Sequence, residues 1–221
     1  MDSVFTIAEA GVNHNGSVDI AMELVSQAKN AGASAVKFQS FEAQDLVSPI
    51  APKVGYQIAN HPSSKNQYEM LKSLELTREE IKDLIELGDN LGIEVFSTPY
   101  SIRELEFLLS AGVRKIKIAS ADLIDLELVE AAAESGLEVI LSTGMSSMEE
   151  VMDAVEKFGK DRKRLTVMHA TSSYPAPNDQ LNLNAITSLR RELGVRVGYS
   201  DHSNGHLAGQ LAVALGAEVI E

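Results

Sequence analysis

Six times along the chain a glycine precedes, within one to three residues, an apolar run rich in Val and Ile that ends in small polar residues. The runs follow Gly32 (GASAVKFQS), Gly92 (GIEVFSTP), Gly112 (GVRKIKIAS), Gly136 (GLEVILSTG), Gly194 (GVRVGYSD) and Gly216 (GAEVIE). Glycine suits the position that closes a helix in the left-handed region, and an unbroken β-branched run reads as a strand buried on both faces. Val4 to Ala10 (VFTIAEA) and Leu165 to Ala170 (LTVMHA) add two more, giving eight strands near residues 5, 36, 95, 116, 139, 166, 196 and 218. Amphipathic helical stretches separate them: Val18–Ala31, Thr77–Leu91, Ser101–Ser110, Asp125–Ser135, Ser147–Phe158, Asn184–Leu193 and about Gly205–Leu215. Thr77 with Glu80 three residues on has the spacing of a capping box.

Strict alternation of strand and helix predicts a parallel sheet covered by helices. Eight strands favour a closed (β/α)8 TIM barrel, although periodicity alone also admits an open doubly wound sheet. One long insertion, Glu42 to Glu75, is rich in Pro, Ser, Asn and Lys and follows the second strand. It is expected as a lid or rim loop at the carboxyl end of the strands. With no linker in sight, residues 1–221 read as one barrel domain.

Composition narrows the function classes. The chain has 221 residues, with 19 basic and 32 acidic side chains and a formal charge of −13, which argues against nucleic acid or an anionic membrane as partner. It has no Cys, which removes disulfides, thiolate metal sites and cysteine nucleophiles. No apolar run approaches the roughly 20 residues of a membrane span. The N-terminus lacks the basic and apolar regions of a signal peptide, so the expected location is cytoplasmic.

Polar residues collect at the carboxyl ends of the strands, where barrel active sites lie. Strand one ends in Glu9 and an Asn13-His14-Asn15-Gly16 turn, strand two in Lys37, Gln39 and Ser40, and strand three in Ser97-Thr98-Pro99-Tyr100. Strand four carries Lys117, Ser120 and Asp122; strand five, Ser142-Thr143-Gly144; strand six, His169 to Tyr174; strand seven, Ser200-Asp201-His202-Ser203. Lys37 and Lys117 each interrupt an apolar strand, and burying an unpaired ammonium is costly. Either each pairs with a carboxylate such as Glu9 or Asp122, or the two converge on an anionic ligand, a phosphate or carboxylate, in a locally positive pocket. Hydroxyls and turn amides at Thr98, Ser120, Ser142, Thr143 and Ser200 would complete that cradle. Glu9 would act as general base or as partner of Lys37. His14 and His169 suit buried hydrogen-bonding roles. His202, next to Asp201, suits a metal ligand or an acid–base group, although one imidazole is not a metal site. His61 falls in the insertion.

The ensemble of strand ends resembles the sialic acid synthase family, N-acetylneuraminate synthase with its legionaminate and pseudaminate relatives. The similarity runs through IAEAGVNHNGS (Ile7–Ser17), GASAVKFQSF (Gly32–Phe41), QYEMLKSLEL (Gln67–Leu76), FSTPY (Phe96–Tyr100) and KIASADL. It continues in ILSTGM (Ile140–Met145), HATSSYPAP (His169–Pro177), VGYSDHSNG (Val197–Gly205) and ALGAEVIE (Ala214–Glu221). The resemblance implies condensation of phosphoenolpyruvate with an N-acetylated amino sugar, N-acetylmannosamine or a diacetamido relative, releasing phosphate. It implies a divalent cation, Mn2+ or Mg2+, that polarises the aldehyde oxygen. By the same resemblance Lys37, Lys117, Thr98, Ser120, Ser142 and Ser200 would bind phosphoenolpyruvate, and Glu9 would be the acid–base carboxylate. Gln39, Asp122 and Tyr174 would meet the sugar, Tyr100 would line the site, and His202 would be one metal ligand.

The chain departs from the family pattern in the shorter Asp122 where many relatives carry Glu or Asp after Ser-Gly, in Ala170 where Cys is common, and in Ser172 where some carry an Asn contact to phosphate. The family pattern continues past Glu221 with a basic-His-Phe-Thr segment, whose His is the second metal ligand, then a last helix and an antifreeze-like domain. The resemblance therefore implies a barrel lacking its last helix and one metal ligand, and a homodimer at full length. Two other readings stand beside this one: a phosphoenolpyruvate-dependent keto-deoxy sugar acid synthase of another kind, and a non-catalytic ligand-binding fragment with an incomplete metal site.

Overall fold

The computed structural model describes residues 4–53 and 64–221. Eight parallel strands close into a barrel in chain order: β1 (Phe5–Gly11), β2 (Ala35–Ser40), β3 (Glu94–Pro99), β4 (Lys115–Ile118), β5 (Glu138–Ser142), β6 (Leu165–Ala170), β7 (Arg196–Ser200) and β8 (Val219–Ile220). β8 pairs with both β7 and β1, so no sheet edge is left open. The expected (β/α)8 architecture is what forms, and the open sheet is excluded.

Helices fill the crossovers: α1 (Val18–Asn30), α4 (Arg78–Leu91), α5 (Ile102–Ser110), α6 (Leu126–Glu134), α7 (Met148–Glu156), α8 (Ala185–Leu193) and α9 (Leu207–Ala214). Between β2 and α4 lie two short helices, α2 (Ala43–Leu46) and α3 (Gln67–Lys72). Ser101, Asp125 and Ser147, read from sequence as first helical residues, are N-caps: each side chain accepts a bond from the amide three residues on. The capping box at α4 is complete, with Glu80 N donating to Thr77 Oγ1 at 3.2 Å and Thr77 N donating to Glu80 Oε2 at 2.7 Å. The glycines of the repeat all hold positive φ, from 64° at Gly194 to 96° at Gly216, the backbone needed to turn from helix to strand. Among the described residues no helix is long and apolar enough to cross a membrane.

Alternation along the strands produces three inward layers. Ile7, Ala35, Phe96, Ile140, Met168 and Val219 pack as an apolar plug across the middle. Glu94, Lys115, Glu138, Thr166 and Arg196 line a cavity below it. The polar ends of the strands form the layer above. Outward-facing Val36, Phe38, Val95, Ile116, Ile118, Val139, Leu141, Val167 and Val197 pack against the helices in one continuous core. Each fully buried aliphatic of this kind contributes roughly 2 kcal/mol to burial.

The described residues of the insertion after β2 pack against the ends of the first three strands. Its Met70 and Leu74 pack with Phe41, Val12, Leu46 and Tyr100. Arg103 ties it to α5 through Asp45 at 2.5 Å. Gly16 approaches it so closely that a Cβ there would sit 2.2 Å from the Ser73 carbonyl oxygen. His61 lies outside the described residues.

Candidate functional site

The upper layer opens into a cavity of about 740 Å3 at the carboxyl ends of the strands. Lys37 from β2 and Lys117 from β4 lie in its floor, 3% and 7% exposed. Height along the strand, rather than the period-two pattern, separates the two lysines of the Lys115-Ile116-Lys117 run. Both point inward, but Lys117 reaches the upper cavity, while Lys115 lies in the lower one, paired with Glu138 and 3.8 Å from Glu94.

Lys37 Nζ lies 2.8 Å from Glu9 Oε2 and donates to Thr98 Oγ1 at 3.1 Å. Glu9 reaches it because it lies two residues beyond the inward-facing Ile7 and is the register partner of Lys37; between Glu9 and Gly11 a bulge then shifts the pairing with β2. Gly11 has φ of 51°, and a Cβ on it would lie 2.9 Å from Glu9 Oε1, so the carboxylate occupies the space a side chain would need. Gln39 donates to the same carboxylate at 3.4 Å.

Lys117 pairs with Glu221, at the end of β8, rather than with Asp122. Glu221 is 5% exposed at its side chain and also lies 3.5 Å from Lys37. Burial alone would lower the Lys37 pKa, but the carboxylates of Glu9 and Glu221 outweigh it and raise it. For Lys117, burial dominates and lowers the pKa despite Glu221. Burial alone would raise the Glu221 carboxyl, yet the two lysines and the Ser200 hydroxyl hold it well below the usual carboxylate range. The floor is therefore not the positive pocket expected from the two lysines: two buried cations are balanced by two carboxylates, because an uncompensated ammonium at this depth is too costly.

Hydroxyls ring the floor. Ser120 Oγ donates to Ser142 Oγ at 2.9 Å and accepts from Gly144 N at 3.0 Å. Ser200 Oγ donates to Glu221 Oε2 at 2.6 Å. Thr98, Ser172, Tyr100, Tyr174, Gln39 and His202 complete the lining foreseen from the sequence. Burial raises the Tyr100 phenol to about 12, Lys37 opposing, so it stays a neutral hydroxyl. Asp122 lies outside the lining. It sits on the 3-10 turn Ser120–Asp122, its Oδ2 buried without a hydrogen bond, and burial followed by Asp125 raises its pKa to about 6.

His202 faces the cavity with a defined orientation. Its Nδ1 lies 2.7 Å from the Thr171 carbonyl oxygen and therefore donates to it, and Tyr174 packs against the ring at 4.3 Å between centroids. Its Nε2 lies 3.3 Å from Ser200 Oγ, whose one proton goes to Glu221. In the neutral imidazole the Nε2 lone pair is thus available, a geometry that suits a metal ligand braced by a backbone carbonyl. Among the described residues no group of three or more His, Asp or Glu side chains is placed to hold a metal ion. His14 and His169 are buried hydrogen-bonding residues: His14 Nδ1 accepts from Gly16 N at 3.1 Å, and His169 Nε2 meets the Leu181 carbonyl at 2.7 Å. Burial lowers the pKa of both.

The model of the NeuB family matches residues 24–221. The chain belongs to the NeuB family. Among NeuB relatives, the N,N'-diacetyllegionaminic acid synthase of Legionella pneumophila is 45% identical over 98% of this chain and 62% of its own length. That of Campylobacter jejuni is 38% identical over all of this chain and 67% of its own. The crystal structure of the N-acetylneuraminic acid (sialic acid) synthetase from Leptospira borgpetersenii, in complex with citrate, superposes with a TM-score of 0.87 at 37% identity. It covers all of this chain and 72% of that one. The chain thus spans about 62% of the length of its Legionella NeuB relative.

Six lining residues had no role assigned from the sequence: Ala119, Ala121, Met145, Asp201, Ser203 and Glu221. Glu221 carried a usable signal, since it ends the eighth strand as Ser200 and Ser142 end theirs. Asp201 receives the Tyr199 hydroxyl at 3.3 Å and the Ser203 amide at 2.9 Å.

Proposed function

We propose that the cavity condenses phosphoenolpyruvate with an N-acetylated amino sugar, N-acetylmannosamine or a diacetamido relative, to a sialic-acid-type nonulosonic acid and phosphate. One observation carries this reading: two buried ammonium groups from β2 and β4 lie together under a ring of hydroxyls in a family of synthases. Lys37, Lys117, Thr98, Ser120, Ser142, Ser172 and Ser200 would hold the phosphate and carboxylate, charge-assisted bonds being the stronger kind. Gln39 and Tyr174 would meet the sugar beside the Tyr100 wall, whereas Asp122, outside the lining, is not placed to do so.

In the reaction, phosphoenolpyruvate C3 bonds to the aldehyde carbon as its double-bond pair moves. Water adds to C2, and the C2–O bond to phosphate breaks. Glu9, 38% exposed at its side chain and bonded to Lys37, would move the proton of the incoming water. His202 would supply one ligand to a divalent cation, Mn2+ or Mg2+, whose chemistry when bound is polarisation of the aldehyde oxygen.

The test is phosphate release by the purified chain with Mn2+, phosphoenolpyruvate and a panel of N-acetylated and phosphorylated aldoses, alongside calorimetric binding of phosphoenolpyruvate. Release that requires both phosphoenolpyruvate and an N-acetylated sugar is expected. Release with phosphorylated aldoses instead, or no binding of phosphoenolpyruvate, overturns the reading.

A further inference from the structure

Glu221 holds the floor of the cavity together with one carboxylate. Its Oε2 accepts from Lys117 and from Ser200 Oγ, the latter at 2.6 Å. Its Oε1 is buried with no hydrogen-bond partner and lies 3.5 Å from Lys37. An ammonium carries three protons. Lys37 commits one to Glu9 at 2.8 Å and one to Thr98 at 3.1 Å, so the third is the one nearest release to a ligand. Among the described residues Glu221 is the one carboxylate paired with Lys117. Glu9, Lys37, Glu221 and Lys117 thus form a chain of alternating charge that sums to zero, and an anion arriving at these lysines meets a carboxylate already there.

We propose that Glu221 is a built-in counter-anion that competes with the phosphate or carboxylate of the ligand for Lys37 and Lys117. The inference rests on reading the cavity as a phosphoenolpyruvate site. Its consequence is a limit on anion affinity: each lysine is kept in place in the empty pocket, and the released phosphate is held less tightly than two bare ammonium groups would hold it. Glu221→Gln keeps the size of the side chain and an acceptor for Lys117 and Ser200, and removes the charge. If Glu221 were only a prop for Lys117, this change would weaken anion binding. As a competitor, its loss strengthens it, so the two roles differ in sign.

The experiment is calorimetric titration of inorganic phosphate and of phosphoenolpyruvate into the parent chain, Glu221→Gln and Lys117→Met, with folding checked by circular dichroism. Glu221→Gln is expected to bind both anions about tenfold tighter or more, and Lys117→Met about tenfold more weakly. Glu221→Asp, which draws the carboxylate back by one methylene, is expected to tighten binding by a smaller factor and serves should Glu221→Gln not fold. Parent-like or weaker binding in the Glu221 variants, with the parent binding phosphoenolpyruvate, overturns the counter-anion role alone. Absence of phosphoenolpyruvate binding in every protein overturns it together with the proposed function.

Discussion

The Lys37 ammonium lies 2.8 Å from Glu9 Oε2, and the two residues are register partners on neighbouring strands. Period-two alternation points both side chains into the barrel, where the carboxylate meets a cation fixed on its other side by Thr98. The pair gives the two groups separable tasks. Lys37→Met is expected to weaken phosphoenolpyruvate binding about 100-fold, since it removes a charge-assisted donor at a buried site. Glu9→Gln is expected to leave that binding no weaker and to lower kcat by about 100-fold or more, the usual scale for a lost acid–base group. Calorimetry for binding and phosphate release for turnover separate the two. Equal losses of binding in both variants would remove the assigned roles.

Asp122 has a stability signature that depends on pH. Burial, then Asp125, raises its pKa in the folded chain to about 6, from 3.8. Between these values the folded state holds a proton that the unfolded state has released, so stability falls as pH rises through this window. Above it the native state carries a half-buried carboxylate; the full shift corresponds to about 3 kcal/mol, which solvent screening of this partly exposed group reduces to the order of 2 kcal/mol. Asp122→Asn is therefore expected to stabilise the chain at pH 8 by about that amount, and to have no effect below about pH 4. Urea unfolding at the two pH values measures this, and a gain that is the same at both would contradict it.

The sequence makes some of these groups far more legible than others. Glu9, Lys37, Thr98, Lys117, Ser142 and Ser200 sit at or near the ends of apolar runs, and alternation with period two sends them inward to one cavity. The turn at Asn13 to Gly16 makes local hydrogen bonds, as its composition implies. Glu221 also closes such a run, but its partner was not legible in it. It lies 104 positions from its partner Lys117, and only closure of the barrel brings β8 opposite β4. Asp122 is the converse case. It is five residues from Lys117 and looked like its partner, but the 3-10 turn carries it out of the lining. Pairing across a barrel is set by closure, which local patterns do not encode, and so the charge of the floor was misjudged although its lysines were found.

The hydroxyl cluster around Ser120 depends on a missing side chain. A Cβ at Gly144 would lie 2.4 Å from Ser172 Oγ and 3.0 Å from Ser120 Oγ. Gly144 has no positive φ, so Gly144→Ala acts through contact and not through backbone strain. It is expected to weaken phosphoenolpyruvate binding by about tenfold, as the hydroxyls rotate away from the cavity. Adding Ser172→Ala removes the closest contact and is expected to recover part of the loss, a coupling that a double-mutant cycle reads directly. Strict additivity of the two changes would show that Ser172 is not what the new methyl group meets.

Two glycines with similar backbone angles isolate the docking of the insertion. Gly16 and Gly32 hold φ of 77° and 82°, so alanine is strained at both. At Gly32 a Cβ meets nothing within 4 Å, whereas at Gly16 it lies 2.2 Å from the Ser73 carbonyl oxygen, a backbone atom that cannot rotate away. Gly32→Ala is expected to cost about 1 kcal/mol from strain alone. Gly16→Ala is expected to cost about 2 kcal/mol more, lowering Tm by a further 5 °C or so. The extra cost should appear where α3 packs on the rim, so limited proteolysis is expected to cut within residues 64–75 in Gly16→Ala and not in Gly32→Ala. Equal Tm values and equal proteolysis for the two variants would show that the contact between Gly16 and Ser73 does not hold the insertion in place.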